Sequence, residues 1–491
     1  MTATEPQKRL DRLPVAEVTF AIPAQKFAVT CAISTQETLP VVTEFSIRMI
    51  HACGTMSPEQ LQDFFGFTER ETSAVIGTLL DERLVRWDDD QLGLTPQALA
   101  LFLESVDNVP RCFRIQEWSG DVYFELISLS PIKRSRGSGR SRALIDLRPA
   151  DRERESRTRY WAERAFQEHF RTICRKERAE IYKISEMEPG ERLSVPLSVT
   201  FSVSLDGRAD LRRSLSDVTL EERIDFSTAI SDELAKGTRK NNNGLQSLLD
   251  RFRVTIPNDC TTDGSLDVAK HLDYTHVLGK NPFGDEAKPF IGALYLPENR
   301  KTITDTIRLQ REINEATGHG PLLNTPICWV APDVSFWGRT TAARAFIREI
   351  ERATKPAPQQ SSEEIEDVPE KGLAVRTLLP QGRLPDQRSR IAYRTAIPGA
   401  IDLGAENMDG KAEIFWVPET FVIVLYHYHL DGPIPIPIGF MSTNPAHLTA
   451  ARDLIVNDII GQRTVYDLSS STGGLGKDCT ETLACFAAYE R

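Results

Sequence analysis

Two histidines lie two residues apart on an apolar stretch of this sequence, where one substrate could contact both. His427 and His429 flank Tyr428 at the end of the run 421–428, which predicts a strand. Because alternate residues of a strand face the same side, both imidazoles are expected on one face, where they could converge on a phosphate. Imidazole is also the side chain that changes its charge nearest to neutral pH. The alternative is a pair of histidines packed in a core.

A second group with the same chemistry lies upstream, where His276 and Lys280 are followed by Asp285. Taken with His427 and His429, these residues resemble in part the phospholipase D family, whose HxK…D signature occurs twice. In this chain His429 stands in the place of the second lysine, and His276 and Lys280 are two residues further apart than in the signature. The resemblance implies a phosphodiesterase, active or degenerate, with His276, Lys280, His427 and His429 as catalytic candidates.

Two further motifs are incomplete. Residues 471–477 resemble a phosphate-binding loop, but Ser471 stands where its first glycine is needed and Asp478 where a hydroxyl is needed for magnesium. Of the eight cysteines, the closest pair is Cys479 and Cys485, with no histidine near it. We therefore expect no cofactor and no metal site.

A basic segment spans residues 131–183, with 16 Lys/Arg against 8 Asp/Glu. Serine and glycine separate its first basic residues, so that this loop could follow a phosphate backbone. The alternative is a solvated surface on which arginines pair with nearby carboxylates such as Glu153 and Glu163. The candidate nucleic-acid-binding residues are Lys133, Arg134, Arg136, Arg140, Arg142, Arg152, Arg154, Arg157 and Arg159.

Residues 42–104 carry the clearest helix signals. Thr43 can cap a first helix that ends at Gly54. The quartets 57–60 (Ser-Pro-Glu-Gln) and 68–71 (Thr-Glu-Arg-Glu) are capping boxes that begin two more helices. A hairpin then follows over 84–94, so this stretch predicts three helices and a two-stranded wing.

This order of elements resembles the winged helix-turn-helix family. The resemblance implies that the third helix and the wing bind DNA, because basic residues there usually contact phosphates. In this chain the third helix carries Glu69, Glu71 and Asp81, and the wing tip is formed by the three aspartates at 88–90. Since acidic side chains oppose phosphate contact, the domain is expected to dock a protein and not to hold DNA by itself.

The remaining chain predicts an α/β or α+β multidomain protein in which the winged helix is followed by mixed, layered α/β domains. Residues 15–33 predict two short strands, with Pro23 at a bend or at an edge. Residues 111–126 predict strands around a turn at 119–121, and 151–184 predict one long helix. Strands and helices alternate from 287 onward. The predicted boundaries are strands 1–37, the winged helix 38–108, an α+β domain 109–270, an α/β region 271–353, a linker or surface loop 354–371, and a C-terminal α/β region 372–491.

Composition narrows the functional class. The chain has 491 residues, a net charge of −11 and 40% apolar residues, with no apolar leader and no run long enough to span a membrane. Scattered single cysteines are typical of a reducing cytoplasm. The sequence favours a non-enzymatic accessory or scaffold protein of a nucleic-acid-associated complex, in a setting such as a bacterial defence system. The alternatives are the phosphodiesterase and a transcription regulator with a C-terminal sensing domain.

Overall fold

Helices and sheets both contribute to the protein, as the sequence predicts for a mixed α/β chain. The computed structural model describes residues 12–37, 39–103, 108–133, 144–149, 152–176, 179–205, 210–217, 220, 223–237, 242–285, 287–317, 326–354, 375–379, 397, 400–402, 410–430, 432–460, 466–467, 484 and 486.

The strands and helices are numbered in chain order. The strands are β1 (Arg12–Glu37), β2 (Thr55–Met56), β3 (Val85–Asp88), β4 (Gln91–Leu94), β5 (Cys112–Glu125), β6 (Ile145–Asp146), β7 (Ala179–Ser204), β8 (Leu211–Leu215), β9 (Thr261–Thr262), β10 (Ser265–Leu266), β11 (Ala287–Ile291), β12 (Ile327–Val330), β13 (Val375–Leu379), β14 (Ala400–Asp402), β15 (Ala412–Val417), β16 (Phe421–Tyr428), β17 (Ile436–Ser442) and β18 (Tyr466–Asp467). The helices are α1 (Val41–Cys53), α2 (Pro58–Phe65), α3 (Glu69–Asp81), α4 (Pro96–Ala100), α5 (Arg152–Ser156), α6 (Thr158–Ile173), α7 (Ile224–Ala235), α8 (Leu245–Arg251), α9 (Val268–Leu272), α10 (Pro297–Thr317), α11 (Thr341–Thr354) and α12 (Pro445–Asp453). Short 3-10 and π-helical turns cover Asn258–Cys260, Asp273–Val277 and Leu454–Ile460.

The chain divides into two compact units. The smaller unit comprises residues 24–134 and 153–192, and the larger unit comprises residues 1–23, 135–152 and 193–491. Each unit is therefore built from segments that are distant in the sequence.

Within the smaller unit, β5 pairs antiparallel with β1 from Ala24 to Glu37, and α6 packs on this ladder. The core between them is largely aromatic: the ring centroids of Phe27 and Phe124 lie 6.1 Å apart, and those of Phe166 and Phe170 lie 5.7 Å apart. The apolar stripe predicted on the basic helix is thus buried, while its polar side faces solvent.

Two turns predicted from sequence are absent from the described strands. The prediction of a bend at Pro23 is wrong, because β1 continues through it. Pro23 lies between the residues of β1 that pair with β6 (Phe20 and Ala21) and those that pair with β5, which begin at Ala24. The turn predicted at 119–121 is also wrong, since these residues lie inside β5, where they pair with residues 28–30 of β1.

The single long helix predicted over 151–184 is wrong as well. Helix α6 ends at Ile173, Cys174 is extended with φ −88° and ψ 95°, and β7 begins at Ala179. Ile181 and Ile184 lie inside the range of the predicted helix, but they pack against the aromatic core as strand residues. Tertiary burial therefore outweighs helix propensity here.

Segment 39–103, within the smaller unit, contains α1 to α4 and a small antiparallel sheet of order β2-β4-β3. Both predicted capping boxes are confirmed: the Ser57 and Thr68 side chains accept from the third backbone N–H of α2 and α3. Helix α1 ends before Gly54, as predicted, but Gly54 has φ 84° and ψ −57°, outside the left-handed helical region. Thr43 is not the cap, because α1 begins at Val41. The core of the segment includes Ile50 and Leu79.

The larger unit is organised around an eight-stranded mixed sheet of order β11-β17-β16-β15-β12-β13-β14-β18. The pairs β12–β13 and β13–β14 are parallel and the others antiparallel. The strands predicted at 412–417 and 421–428 are confirmed as β15 and β16. At Gly439 on β17 a Cβ would lie 1.9 Å from the carbonyl oxygen of Val424, so this close approach requires glycine.

Helices α10 and α11 pack on each other and cover one face of this sheet. The shared core is aromatic at its centre, where the Trp329 ring lies 5.4 Å from Phe346 of α11 and 6.1 Å from Phe415 of β15. This same face carries a buried carboxylate, that of Glu413 on β15.

Candidate functional site

A buried acid–imidazole pair lies on the covered face of the large sheet. Glu413 is on β15 and His427 is on β16, where the register places Glu413 opposite Leu425. Because His427 is two residues beyond Leu425, its side chain is on the same face and diagonal to Glu413. Nε2 of His427 lies 2.6 Å from Oε2 of Glu413, and the two side chains are 3% and 1% exposed.

Two indoles complete the environment of this carboxylate. Nε1 of Trp329 donates to Oε1 of Glu413 at 2.8 Å, and Nε1 of Trp337 donates to the same oxygen at 3.1 Å. With His427, three N–H groups converge on the two oxygens. An ionised carboxylate only accepts hydrogen bonds, so with Glu413 ionised the donor is Nε2 of His427.

His427 also lines a small cavity in the larger unit. The cavity has a volume of about 20 Å³, and its lining includes Glu17, Tyr295, Ser335 and Trp337. Such a volume holds about one water molecule. The arrangement of a carboxylate, an oriented imidazole and a cavity is one that supports proton transfer.

His429, the second predicted histidine, is buried at the end of β16 and held through its backbone. The side-chain oxygen of Asn242 accepts from the His429 N–H at 2.9 Å and from Nζ of Lys411 at 3.1 Å, while its amide donates to the His429 carbonyl at 2.8 Å. Lys411 is fully buried, and its ammonium lies 5.6 Å from the Tyr426 ring centroid.

The upstream candidates lie around the π-helical turn at Asp273–Val277. Nδ1 of His276 lies 2.9 Å from the Thr275 hydroxyl, and burial lowers its pKa, although Glu298 opposes this effect. Nζ of Lys280 lies 5.2 Å from the Tyr274 ring centroid. The described lining of the His427 cavity contains none of His276, Lys280 and His429, so that cavity does not unite the four predicted catalytic residues.

The described arginines of the basic segment contact the protein itself. Arg154 donates to the Ile127 carbonyl at 3.0 Å and lies over the Trp161 ring. Arg157 pairs with Glu153 at 3.1 Å, and Arg159 lies 3.6 Å from Glu188. Arg157 therefore forms an ion pair with a nearby carboxylate, as the solvated-surface interpretation of the basic segment predicts.

Of the other candidate residues of this segment, the structure describes the side chain of Lys133 only. Lys133 is exposed. Arg134, Arg136, Arg140, Arg142 and the side chain of Arg152 lie outside the described residues, as do the glycine-rich residues 471–477 and the cysteines at 479 and 485.

Potential metal ligands and cysteines occur throughout the described ranges. No three His, Cys, Asp or Glu side chains there are grouped as metal ligands. No disulfide joins the six cysteines of these ranges, and burial raises the pKa of Cys31 to about 11, with a further contribution from Cys174.

Sequence reasoning selected His427 but missed its partners, Glu413, Trp329 and Trp337. One signal was available: Glu413 is the only charged residue in the strand sequence Ala-Glu-Ile-Phe-Trp-Val. A lone carboxylate in a fully buried strand must find donors, because an unpaired buried charge is very costly. The two tryptophans come from β12 and from the turn after it, so their convergence could be found only in three dimensions.

None of the helices in the described ranges is long and apolar enough to cross a bilayer. Comparison with known proteins finds no matching family model, no matching curated protein and no matching solved structure.

Proposed function

We propose that this protein is an accessory or scaffold component of a nucleic-acid-associated complex, in which segment 39–103 is a winged-helix domain that docks a partner protein with a basic surface. The observation that carries the proposal is the concentration of exposed apolar side chains on a strongly acidic segment.

Exposed large apolar residues are concentrated in this segment. Of the 16 in the described ranges, seven lie within these 65 residues: Val41, Val42, Phe45, Phe64, Trp87, Leu99 and Leu103. Trp87 is 49% exposed, Phe64 53% and Leu103 83%. Single exposed apolar residues are ordinary, but a concentration of them, including aromatics, is typical of a protein-binding surface.

The charge of the segment supports a basic partner. Segment 39–103 contains 10 Asp/Glu and 4 Lys/Arg. The exposed Trp87 is followed directly by three exposed aspartates at 88–90. Exposed acidic side chains beside exposed apolar ones complement a basic protein surface and repel phosphates.

The nucleic-acid part of the proposal rests on the basic segment 131–183. Because Arg154, Arg157 and Arg159 already contact groups of the protein, we assign phosphate contact mainly to the loop arginines Arg134, Arg136, Arg140 and Arg142. Lys133 and Arg152 remain candidates for the same role. The balance of 16 basic and 8 acidic residues in this segment supports that assignment.

Site-specific photo-crosslinking tests the docking proposal. A photoreactive amino acid is placed at position 64 or 87 of the full chain in its native cell, and crosslinked molecules are identified by mass spectrometry. The expected product is one protein with a basic surface. The purified partner should bind Phe64→Ala or Trp87→Ala at least about tenfold more weakly than the wild type, since buried aromatic anchors dominate binding energy.

Phe113→Ala is the matched control, because Phe113 is 55% exposed in the same unit but outside the segment. Equal loss of binding in this variant, crosslinking to DNA, or a partner with an acidic surface would each contradict the proposal.

A further inference from the structure

A cleft in the larger unit lies between two helices, and its lining includes neither member of the buried acid–imidazole pair. Its volume is about 770 Å³, within the range of about 300–1,000 Å³ that small-molecule sites occupy. One wall is formed by the end of α8 and the two residues after it, with Arg251, Phe252 and Arg253. The other wall is α12 and the π-helical turn Leu454–Ile460 that continues it. Since π-helical turns are rare and frequently occur at functional sites, the cleft is a candidate ligand site.

Contacts within the larger unit link the two walls of the cleft. Arg251 forms an ion pair with Asp458, across the cleft from the end of α8 to the π-helical turn. His447 of α12 is buried, and its ring centroid lies 6.3 Å from that of Phe252. Nδ1 of the same imidazole lies 2.8 Å from the Ser442 hydroxyl oxygen. The walls are therefore in contact without a ligand, as is usual for small-molecule sites that are largely preformed.

The charges at the cleft favour an anionic ligand. Arg251 and Asp458 neutralise each other, and Asp453 pairs with Arg452 at 3.4 Å. Arg253 differs from these residues: it is exposed, and its guanidinium forms no hydrogen bond or ion pair with the part of the chain that the structure describes. A guanidinium is the side chain best suited to hold a phosphate or carboxylate group, because it donates two parallel hydrogen bonds.

Arg253 also occupies a backbone position that ordinarily holds glycine. Its N–H donates to the Asp250 carbonyl and that of Val254 donates to the Leu249 carbonyl, each at 3.0 Å, which is the Schellman pattern at the end of α8. Arg253 has φ 54°, a left-handed conformation that glycine adopts without strain. Arg83, after α3, has φ 55°, so this conformation alone does not identify a site. What distinguishes Arg253 is the cleft that it lines.

We propose that this cleft binds a hydroxylated organic anion, such as a sugar phosphate, a nucleoside monophosphate or a sugar acid. Arg253 holds the phosphate or carboxylate group through charge-assisted hydrogen bonds. The carboxylates of Asp453 and Asp458 each have more acceptor sites than their ion pairs use, so they accept from the hydroxyl groups of the ligand. Asn457 is exposed four residues after Asp453, on the same side of the helix, and its amide offers both donors and an acceptor.

This inference goes beyond the docking proposal, because it concerns a small molecule and residues outside segment 39–103. Binding is measured on the purified full-length protein without any partner. Failure of the ligand experiment therefore leaves the docking proposal standing, and failure to find a docking partner leaves this inference standing.

Isothermal titration calorimetry with four compounds tests the proposal. Ribose 5-phosphate, AMP and gluconate are the anionic probes, and adenosine is the matched neutral control for AMP. At least one anion should bind with Kd below about 1 mM, and adenosine should bind at least about tenfold more weakly than AMP if AMP binds. Binding of both phosphates identifies a sugar phosphate site, binding of AMP alone a nucleotide site, and binding of gluconate alone a sugar acid site.

Variants at Arg253 test its role. Arg253→Gly should weaken binding of the anion at least about tenfold, since it removes the charge-assisted hydrogen bonds. The same variant should raise the melting temperature of the protein without ligand, because glycine adopts φ 54° without strain. Arg253→Lys keeps the charge but not the paired donors, and its affinity should lie between those of Arg253→Gly and the wild type.

Arg83→Gly is the matched control, because it replaces the same residue type in the same left-handed conformation outside the cleft. It should also raise the melting temperature, but it should bind the anion as the wild type does. The proposal would be overturned if none of the three anions binds at about 1 mM, or if adenosine binds as tightly as AMP. Equal affinity of Arg253→Gly and the wild type, or equal weakening in Arg253→Gly and Arg83→Gly, would also overturn it.

Discussion

The Glu413 carboxylate and the His427 imidazole are joined by a 2.6 Å hydrogen bond in the core of the larger unit. Removing one member of a buried pair leaves the other without its partner. We therefore expect Glu413→Ala to lower the free energy of unfolding by about 3–5 kcal/mol, and Glu413→Gln, which keeps an acceptor oxygen for the tryptophans, to lower it less.

A double-mutant cycle in urea measures the pair itself. The double variant Glu413→Ala/His427→Ala should lose less unfolding free energy than the sum of the losses in the two single variants. The reason is that the second substitution removes a group that the first has already left without its partner. Additive decreases would mean that the two side chains do not interact in solution.

His271 is another buried imidazole, and its environment predicts a pH dependence of stability. It is fully buried beside Phe283, and among the described residues neither ring nitrogen has a hydrogen-bond partner. Burial, and secondarily the nearby His276, lower its pKa from 6.5 to about 4. The folded protein therefore holds this histidine neutral where the unfolded chain would already be protonated.

Since the unfolded state binds more protons between pH 6.5 and 4, stability should fall as the pH is lowered through this window, by about 3 kcal/mol at most. His271→Leu should remove this part of the slope in urea unfolding measured from pH 7 to 4. His51→Gln, at an exposed histidine, is the control and should keep the wild-type slope. Identical slopes for His271→Leu and the wild type would contradict the prediction.

The capping boxes of segment 39–103 give a local stability prediction. The Glu71 carboxylate accepts hydrogen bonds from the backbone N–H and from the side-chain hydroxyl of Thr68, each at 2.8 Å. Both hydrogen bonds lower the pKa of Glu71. Thr68→Ala removes the reciprocal bond to the Glu71 N–H and should destabilise the start of α3 by about 1 kcal/mol.

Hydrogen exchange of the full chain measures this effect as faster exchange of the α3 amides. Thr78→Ala is the matched control, because Thr78 is exposed within the same helix and its hydroxyl bonds only the Ala74 carbonyl. Equal acceleration in both variants would show that the cap is not the cause.

The basic loop predicts a salt-dependent interaction. Replacement of Arg134, Arg136, Arg140 and Arg142 by Ala should weaken nucleic-acid binding about equally for all base sequences. The slope of affinity against salt should fall by about one unit for each phosphate group that the variant no longer binds.

Arg157→Ala with Arg159→Ala is the comparison, since both arginines lie near carboxylates of the protein and should change the slope less. A wild-type protein that does not bind nucleic acid at physiological salt would remove the nucleic-acid part of the proposed function.

Local signals in the sequence determined a substantial part of the fold. The capping boxes at Ser57 and Thr68 were readable because all of their hydrogen bonds join residues three positions apart. Strands β15 and β16 were readable because buried strands are continuous apolar runs. These features depend on interactions between residues close together in the chain, so a short stretch of sequence is enough to predict them.

Only the tertiary structure decided the features that depend on distant partners. Residues 119–121 carry a turn signal, but pairing with β1 holds them in a strand. Ile181 lies in the range of the predicted helix, but it is a residue of β7, partly buried against the core that contains Phe166 and Phe170. The candidate site is the clearest case. Glu413, His427, Trp329 and Trp337 come from three strands and a turn, and a buried carboxylate selects its donors by distance in space, which the order of residues along the chain does not specify.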